Sequence, residues 1–187
     1  FDHPTDTLLP TMEVQVNFTS GEGTRLTAWN GAADPSPGEF SLTVHPERPF
    51  QAYVMKGEVV YWRGRTWSDS PVLTLWLGGK TSVYVETVYA DAERYYWKYT
   101  VTESTLLARF VLDPAGSYAF LYWDDTRQRW NSMGSMPRDA CDLYNWCGAS
   151  AVCDRRGGAP ACRCLEGYEI RNRGEWEAGN HTGGCVQ

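Results

Sequence analysis

The six cysteines of this 187-residue chain all lie after residue 140. In order they are Cys141, Cys147, Cys153, Cys162, Cys164 and Cys185. An even number of cysteines in a short segment rich in turn residues is typical of a disulfide framework, although the sequence alone does not select one pairing. Because disulfides persist in oxidising compartments, the chain is predicted to be extracellular.

A metal site is the alternative explanation for a cysteine cluster. Structural zinc sites favour pairs of cysteines separated by two residues, or nearby histidines. No cysteine pair here has that spacing, and His181 is the only histidine in the segment. Calcium would require several oxygen ligands, whereas only Asp139 and Asp142 flank the first cysteine. The segment is therefore predicted to bind no metal, and the chain to need no cofactor.

The charge balance restricts the partners that the chain can bind. Its formal net charge is −6 at pH 7. Nucleic acids and anionic membranes attract cationic surfaces, so neither is an expected partner. No run approaches the roughly 20 apolar residues of a membrane-spanning helix. The polar opening Phe1-Asp2-His3-Pro4 does not resemble a secretion signal, so we expect a mature form or a fragment of a longer protein.

Two asparagines lie in glycosylation sequons. These are Asn17-Phe18-Thr19 and Asn180-His181-Thr182. The alternative is that each sequon is an unmodified polar turn. In a chain predicted to be extracellular, both Asn17 and Asn180 are candidate sites of glycan attachment.

The region from Glu13 to Trp130 has the period of two that is typical of β-strands. Aromatic or branched residues occupy alternate positions in three runs: Tyr95, Trp97, Tyr99 and Val101; Val83, Val85, Thr87 and Tyr89; and Tyr118, Phe120 and Tyr122. Each run predicts an apolar strand face, and short strands at this spacing favour antiparallel sheets. No convincing amphipathic helix is predicted.

Turn signals divide these runs into segments. The cluster Asp34-Pro35-Ser36-Pro37-Gly38-Glu39 predicts a turn between a strand at about residues 25–29 and another at about 40–44. Hairpin turns are predicted at Lys56-Gly57, Gly78-Gly79 and Asp124-Asp125. The cysteine-rich segment begins after Met136, which predicts a domain boundary there.

Catalytic motifs are incomplete in this sequence. Gly79-Lys80-Thr81 lacks the earlier glycine and the following helix of a phosphate-binding loop. His3, His45 and His181 are predicted to be solvated loop residues, and no Gly-x-Ser-x-Gly motif accompanies them. Asp124 and Asp125 are adjacent, so their side chains diverge and cannot readily flank one glycosidic bond. The chain is therefore predicted to have no enzymatic activity.

Nine tryptophans suggest a carbohydrate-binding surface as an alternative function. Trp62, Trp97 and Trp123 lie within alternating runs and are predicted to be core residues. Trp67, Trp76 and Trp130 lie near turns and are the candidates for surface exposure.

Several motifs together resemble the S-domain (G-type lectin) receptor-like kinases of plants. Phe1 to Pro10 is similar to the end of their second bulb-type lectin domain, and Leu26-Thr27-Ala28-Trp29 to the start of their S-locus glycoprotein domain. Three further stretches match in the same order: Tyr61-Trp62-Arg63 with Trp67; Pro137-Arg138-Asp139-Ala140-Cys141 with Cys147-Gly148; and Cys162-Arg163-Cys164 with Gly183-Gly184-Cys185. Gly64-Arg65-Thr66 replaces the usual Ser-Gly-Pro, and the family's mannose-binding motif is absent.

The resemblance implies a fold and a domain division. It implies an all-β chain of antiparallel twisted sheets followed by a small, disulfide-rich, EGF-like module. Residues 1–11 would be the tail of a lectin domain, residues 12–136 an S-locus glycoprotein-like domain, and residues 137–187 the EGF-like module. It further implies the disulfides Cys141–Cys153, Cys147–Cys162 and Cys164–Cys185.

The resemblance also implies a function. Such a chain would be the extracellular ligand-recognition segment of a single-pass receptor kinase, recognising pollen or immune signals through a secreted peptide or protein, with possible dimerisation of ectodomains. Membrane attachment would come only through a segment downstream of this chain. The alternatives are a secreted S-locus-type glycoprotein without a kinase, or a glycan-binding module. The candidate ligand-binding segments are a hairpin at residues 51–63 and the segment 67–76, and the candidate residues within them are Tyr53, Glu58, Arg63, Trp67 and Trp76.

Overall fold

The structure is a computed structural model that describes residues 5–45, 48–64, 72–74 and 83–187. The chain divides into two compact units, Phe1–Met136 and Pro137–Gln187. All strand pairs in both units are antiparallel. The predicted all-β fold with a small disulfide-rich C-terminal region is therefore confirmed. The described residues contain no helix that is long and apolar enough to cross a bilayer.

Within its described residues, the first unit contains three four-stranded sheets. Their strand orders are β1-β10-β11-β12, β2-β9-β8-β7 and β3-β4-β5-β6. The strands are β1 (Thr7–Leu8), β2 (Val14–Asn17), β3 (Leu26–Gly31), β4 (Asp34–His45), β5 (Arg48–Lys56), β6 (Val59–Arg63), β7 (Val72–Thr74), β8 (Tyr84–Ala90), β9 (Arg94–Val101), β10 (Ala108–Leu112), β11 (Tyr118–Asp124) and β12 (Arg129–Met136).

An aromatic core lies between the first two sheets. Tyr95, Trp97 and Tyr99 are buried at alternate positions of β9, as their spacing predicts. The ring of Phe110 on β10 lies 4.9 Å from that of Tyr99 and 4.8 Å from that of Tyr118, between ring centroids. Leu26, Leu42 and Val54 of the third sheet belong to the same buried cluster. The inner faces of all three sheets thus share one core.

The prediction of which face of β8 is buried is wrong. The run of Val83, Val85, Thr87 and Tyr89 predicts that these side chains point inward, yet the buried residues are Tyr84 and Glu86. The ring of Tyr84 lies 4.7 Å from that of Phe120 and 5.3 Å from that of Phe110. Apolar residues occur on both faces of β8, so contacts with the neighbouring sheet select the buried face.

The proline-rich segment at residues 34–39 is a strand, which overturns the predicted turn. The chain turns earlier, at Ala32-Ala33, and β4 begins at Asp34. Pairing of β4 with β5 begins only at Phe40, which lies opposite Lys56. Pro35 and Pro37 therefore lie in a part of β4 that has a partner strand on one side only, where a missing N–H is tolerated.

The second unit contains two small two-stranded sheets and two short helices. The strands are β13 (Ala151–Asp154), β14 (Ala161–Cys164), β15 (Glu169–Ile170) and β16 (Cys185–Val186); the helices are a 3-10 turn (Ala140–Asp142) and α1 (Arg173–Glu177). The disulfides join Cys141 to Cys153, Cys147 to Cys162 and Cys164 to Cys185. This is the pairing that the family resemblance implies.

Candidate ligand-binding site

A surface groove lies beside the hairpin of β5 and β6. Lys56 pairs with Val59, so only Gly57 and Glu58 connect the two strands. Gly57 has a φ of +55°, a backbone conformation that residues with a Cβ adopt at an energetic cost. Because β6 is the last strand of its sheet in the described residues, this hairpin borders on solvent.

The groove beside the hairpin has a volume of about 460 Å³. Its lining residues are Glu39, Lys56, Gly57, Val59, Val60 and Tyr61. This volume falls within the range of small-molecule pockets, although this groove is open to solvent. Val59 is 69% exposed, the highest value among the large apolar side chains of the described residues. The groove thus offers uncovered apolar surface to a ligand.

An ion pair and two aromatic rings surround the groove. The Lys56 Nζ lies 3.6 Å from the Glu39 Oε2 and 5.6 Å from the ring centroid of Phe40. The rings of Phe40 and Tyr61 meet edge to face, with centroids 4.9 Å apart. The ion pair is largely exposed and contributes little stability, so both charges can re-pair with a ligand at low cost.

The predicted ligand-binding residues differ in their exposure to solvent. Glu58 and Arg63 are exposed, at the turn and at the end of β6 respectively. Tyr53 pairs with Arg63 across the hairpin but is only 4% exposed. Trp67 and Trp76 lie outside the described residues.

Tyr53 has a supporting role. Its hydroxyl donates a hydrogen bond to Gln51 Oε1 over 2.8 Å, and Gln51 Nε2 donates to the Gly64 carbonyl. These bonds fix the end of β6 against β5. The side chain of Tyr53 is therefore not available to a ligand, because it is enclosed within the sheet.

Sequence reasoning missed the residues that form the groove itself. Glu39 lies on β4, 17 positions before Lys56, and no local pattern brings the two together. The sequence pattern that could have indicated the groove is Val59-Val60 directly after the turn. A valine at the tip of a hairpin is not needed for the core, so it can contact a ligand. Lys56, Gly57, Val59, Val60 and Tyr61 lie within the predicted hairpin of residues 51–63, but the sequence did not single them out as ligand contacts, and Glu39 lies outside that hairpin.

The division of the tryptophans into buried and exposed side chains differs from the prediction at Trp123. Trp97 is buried and Trp62 packs against the core, whereas Trp123 is only half-buried and does not belong to the core cluster. Trp123 contacts Trp130 instead, with ring centroids 5.7 Å apart. Trp130 is exposed, as its position near a turn predicts.

Arginines bind the two carboxylates that could have held calcium. Arg155 donates to Asp139 Oδ2 over 2.8 Å and to Asp142 Oδ1 over 2.7 Å, and Arg138 donates to Asp142 Oδ2 over 2.9 Å. Hydrogen bonds from Arg138 lower the pKa of Asp142 to about 2. The carboxylate oxygens that would coordinate a cation thus already accept hydrogen bonds from the two guanidinium groups.

Three cysteine sulfurs cluster without forming a metal centre. The sulfurs of Cys147, Cys153 and Cys162 lie within 4.8 Å of one another. Each is oxidised in a disulfide, and a metal requires the thiolate form. Their proximity reflects the pairing of Cys153 with Cys162 across the β13–β14 hairpin.

The two sequons lie in different settings. Asn17 ends β2 half-buried, and its Oδ1 accepts hydrogen bonds from the backbone N–H groups of Thr19 and Ser20. Asn180 is exposed, and its Oδ1 accepts from the Thr182 hydroxyl over 2.7 Å. Glycan attachment at either asparagine stays a prediction.

His181 is not the solvated loop residue that its sequence context predicts. It is half-buried, with its ring centroid 5.2 Å from that of Trp146 and 4.7 Å from that of Trp176. The Gly184 N–H donates to the His181 carbonyl, which folds the loop back onto these rings. His3 and the side chain of His45 lie outside the described residues.

The predicted hairpin turn follows Asp124, which ends β11, and begins at Asp125. Asp124 accepts hydrogen bonds from the backbone and guanidinium of Arg127, which lower its pKa, and Asp125 accepts one from the Trp123 indole. Each carboxylate is thus engaged with its own local partners.

Comparison with known proteins identifies related sequences along the whole chain. Residues 61–172 match the family model described as the S-locus glycoprotein domain. The G-type lectin S-receptor-like serine/threonine-protein kinase SD1-29 of Arabidopsis thaliana is 35% identical over 100% of the chain, which spans 23% of that protein. An S-locus-specific glycoprotein of Brassica oleracea var. alboglabra is 32% identical over 100% of the chain, which spans 43% of that protein.

Proposed function

We propose that this chain, which belongs to the S-locus glycoprotein domain family, is an extracellular ligand-recognition segment whose β5–β6 groove binds a secreted peptide or protein. The chain corresponds to the ectodomain-like region of S-domain receptor kinases or S-locus glycoproteins. It spans less than half the length of these relatives, so kinase signalling belongs to the proposal. Three disulfides accord with an extracellular location.

The single observation that carries the proposal is the exposure of Val59 beside the charged pair of Lys56 and Glu39. An apolar anchor surrounded by charges is the usual anatomy of a protein-binding surface. A ligand with one apolar side chain and flanking charges of both signs would fit this groove. Glu58 and Arg63 extend the same hairpin with one charge of each sign.

Binding can be tested with the 187-residue chain immobilised and titrated with a panel of secreted, cysteine-rich peptides. We expect Val59→Asp to weaken any binding peptide by about tenfold or more, because it places a charge in the apolar groove. Glu58→Ala should weaken it less. Leu165→Asp is the matched control, since Leu165 is an exposed apolar residue of the second unit. Equal binding by Val59→Asp and the control would refute the site.

The secreted S-locus-type glycoprotein is the second candidate. It is supported by the two S-locus-specific glycoproteins that match 99% or more of the chain. The coding sequence downstream of Gln187 distinguishes the candidates. A membrane span and a kinase there support the receptor, and an early stop codon supports the secreted glycoprotein.

A further inference from the structure

The sheet of β1, β10, β11 and β12 has a second face that points away from the core. Ala108 and Phe110 are buried, so the alternation of β10 places Leu107 and Arg109 on the opposite side. Ala108 pairs with Tyr122, which places Leu107 beside Trp123, and Trp123 pairs directly with Trp130. The outer aromatic face is defined by these neighbours: Leu9, Leu107, Arg109, Leu121, Trp123 and Trp130.

This outer aromatic face carries uncovered apolar surface. Leu107 is 61% exposed, Leu9 is 41% exposed and Trp130 is 37% exposed. Single exposed apolar residues are ordinary, but neighbouring ones mark interaction sites. The Trp123 indole is held by its hydrogen bond to Asp125 Oδ1 over 3.0 Å, so its ring orientation is set before any partner binds.

Arg109 places a positive charge on this outer aromatic face. Its Cζ lies 4.3 Å from the ring centroid of Trp130, and its Nε is buried with no hydrogen-bond partner among the described residues. No ion pair to Arg109 occurs in the same residues. A buried donor without an acceptor costs free energy. The Arg109 guanidinium therefore has no carboxylate partner among the described residues, although the Asp125 carboxylate lies at the edge of this face beside Trp123.

We propose that the outer aromatic face binds a protein segment that presents an aspartate or glutamate flanked by apolar side chains. Because the Nε is buried, a carboxylate would accept from the terminal Nη groups of Arg109, while Trp130 and Leu107 receive the apolar neighbours. Arginine and tryptophan are the residue types that contribute most to protein interfaces. This surface lies on a different sheet from the β5–β6 groove, so it is a second and independent site.

Two other occupants fit this face less well. A second copy of the chain in a two-fold contact centred on this face would bring Arg109 against the partner copy's equivalent guanidinium, and both chains carry a net charge of −6. A saccharide would stack on Trp130, yet the aliphatic side chains of Leu9 and Leu107 offer it no hydrogen bonds. A protein segment with an acidic residue and apolar neighbours can pair with the charge of Arg109 and also pack against Leu9 and Leu107.

The test is a selection of random linear peptides displayed on phage against the immobilised 187-residue chain. We expect the enriched peptides to carry Asp or Glu beside apolar residues. Synthetic copies should bind Arg109→Gln and Trp130→Ala at least about tenfold more weakly than the native chain. Selection against Arg109→Glu should enrich Lys or Arg in place of the acidic residue.

Two variants distinguish loss of binding at this face from loss of folding and from binding at the β5–β6 groove. Leu107→Asp changes a mostly exposed side chain, so it should abolish peptide binding with an unchanged thermal unfolding midpoint. Val59→Asp, in the other groove, should leave this binding intact. Enriched peptides without acidic residues, or with affinity unaffected by Arg109→Gln, would overturn the proposal. So would a dimer that Leu107→Asp dissociates, or saccharide binding that Trp130→Ala removes.

Discussion

The hydroxyl of Tyr99 donates a hydrogen bond to the backbone carbonyl of Leu8 over a distance of 3.1 Å. Both residues are fully buried, and Leu8 pairs with Phe110 in the sheet. The described residues before position 12, assigned from the family resemblance to a preceding lectin domain, thus contribute a strand and a core residue to the first unit. Their domain origin stays a prediction.

Replacing Tyr99 with phenylalanine tests this connection. We expect Tyr99→Phe to lower the free energy of unfolding by about 1 kcal/mol, because a buried hydrogen bond is lost while the ring is kept. Chemical denaturation followed by tryptophan fluorescence measures the change. Tyr96→Phe is the control, since Tyr96 lies on the other face of β9 and should change stability little. Equal stability of the native chain and Tyr99→Phe would contradict the connection.

Gly38 is expected to tolerate no side chain. A Cβ built there would lie 2.4 Å from the backbone carbonyl oxygen of Trp29, which cannot move without disrupting the β3–β4 pairing. We expect Gly38→Ala to destabilise the first unit by about 2 kcal/mol or more. Gly31→Ala in the same hairpin is the matched control, because its nearest neighbouring atom lies 3.9 Å away. Thermal unfolding of both variants checks the difference.

The disulfide of Cys164 and Cys185 closes the longest loop of the three, with a sequence separation of 21. Loop-closure entropy predicts that replacing both cysteines with serine costs the second unit about 3 kcal/mol. Amide hydrogen exchange should then show lost protection in β15 and β16. The first unit has no cysteine, so protection of β9 should stay unchanged and serves as the internal control. Loss of protection in β9 as well would show that the two units unfold together.

Asp142 is expected to titrate far below an ordinary aspartate. Its folded pKa of about 2 lies below the unfolded value of about 3.9, so its ion pairs stabilise the fold fully above pH 4. That contribution is lost as the pH falls from about 4 to about 2. Carboxyl ¹³C NMR titration measures the midpoint, and Arg138→Gln should raise it because the main hydrogen-bond donor is gone. A midpoint near 4 in the native chain would refute the prediction.

The strands with one apolar face were predictable. In β9, Tyr95, Trp97 and Tyr99 alternate with more polar residues, and burial follows the alternation. In β8 both sets of alternate positions contain apolar residues, so periodicity alone could not identify Tyr84 and Glu86 as buried. The choice depends on contacts with Phe110 and Phe120, which are more than 20 positions distant in the chain.

The candidate site was predictable only in part. Glu58 was placed at the tip of a hairpin because Lys56-Gly57 is a local turn signal, and the structure has that turn. Tyr53 was predicted to bind the ligand but is buried on β5, and Glu39 on β4 was not predicted, since alternation does not say which face of a strand borders a groove. The Asp34–Glu39 segment was misjudged because prolines usually mark turns, and only strand pairing showed that they lie where one side of β4 has no partner.

The sequence by itself determined the two-part organisation, the strand-rich first unit, the disulfide-linked second unit and the family. These properties depend on residue types and spacings that lie close together in the chain. Only the tertiary structure decided which face of β8 is buried, how the prolines are accommodated, where the β5–β6 groove opens and why Arg109 lies against Trp130. Each of these depends on distant strands brought side by side, and the free energy of burial is set by those neighbours rather than by local pattern.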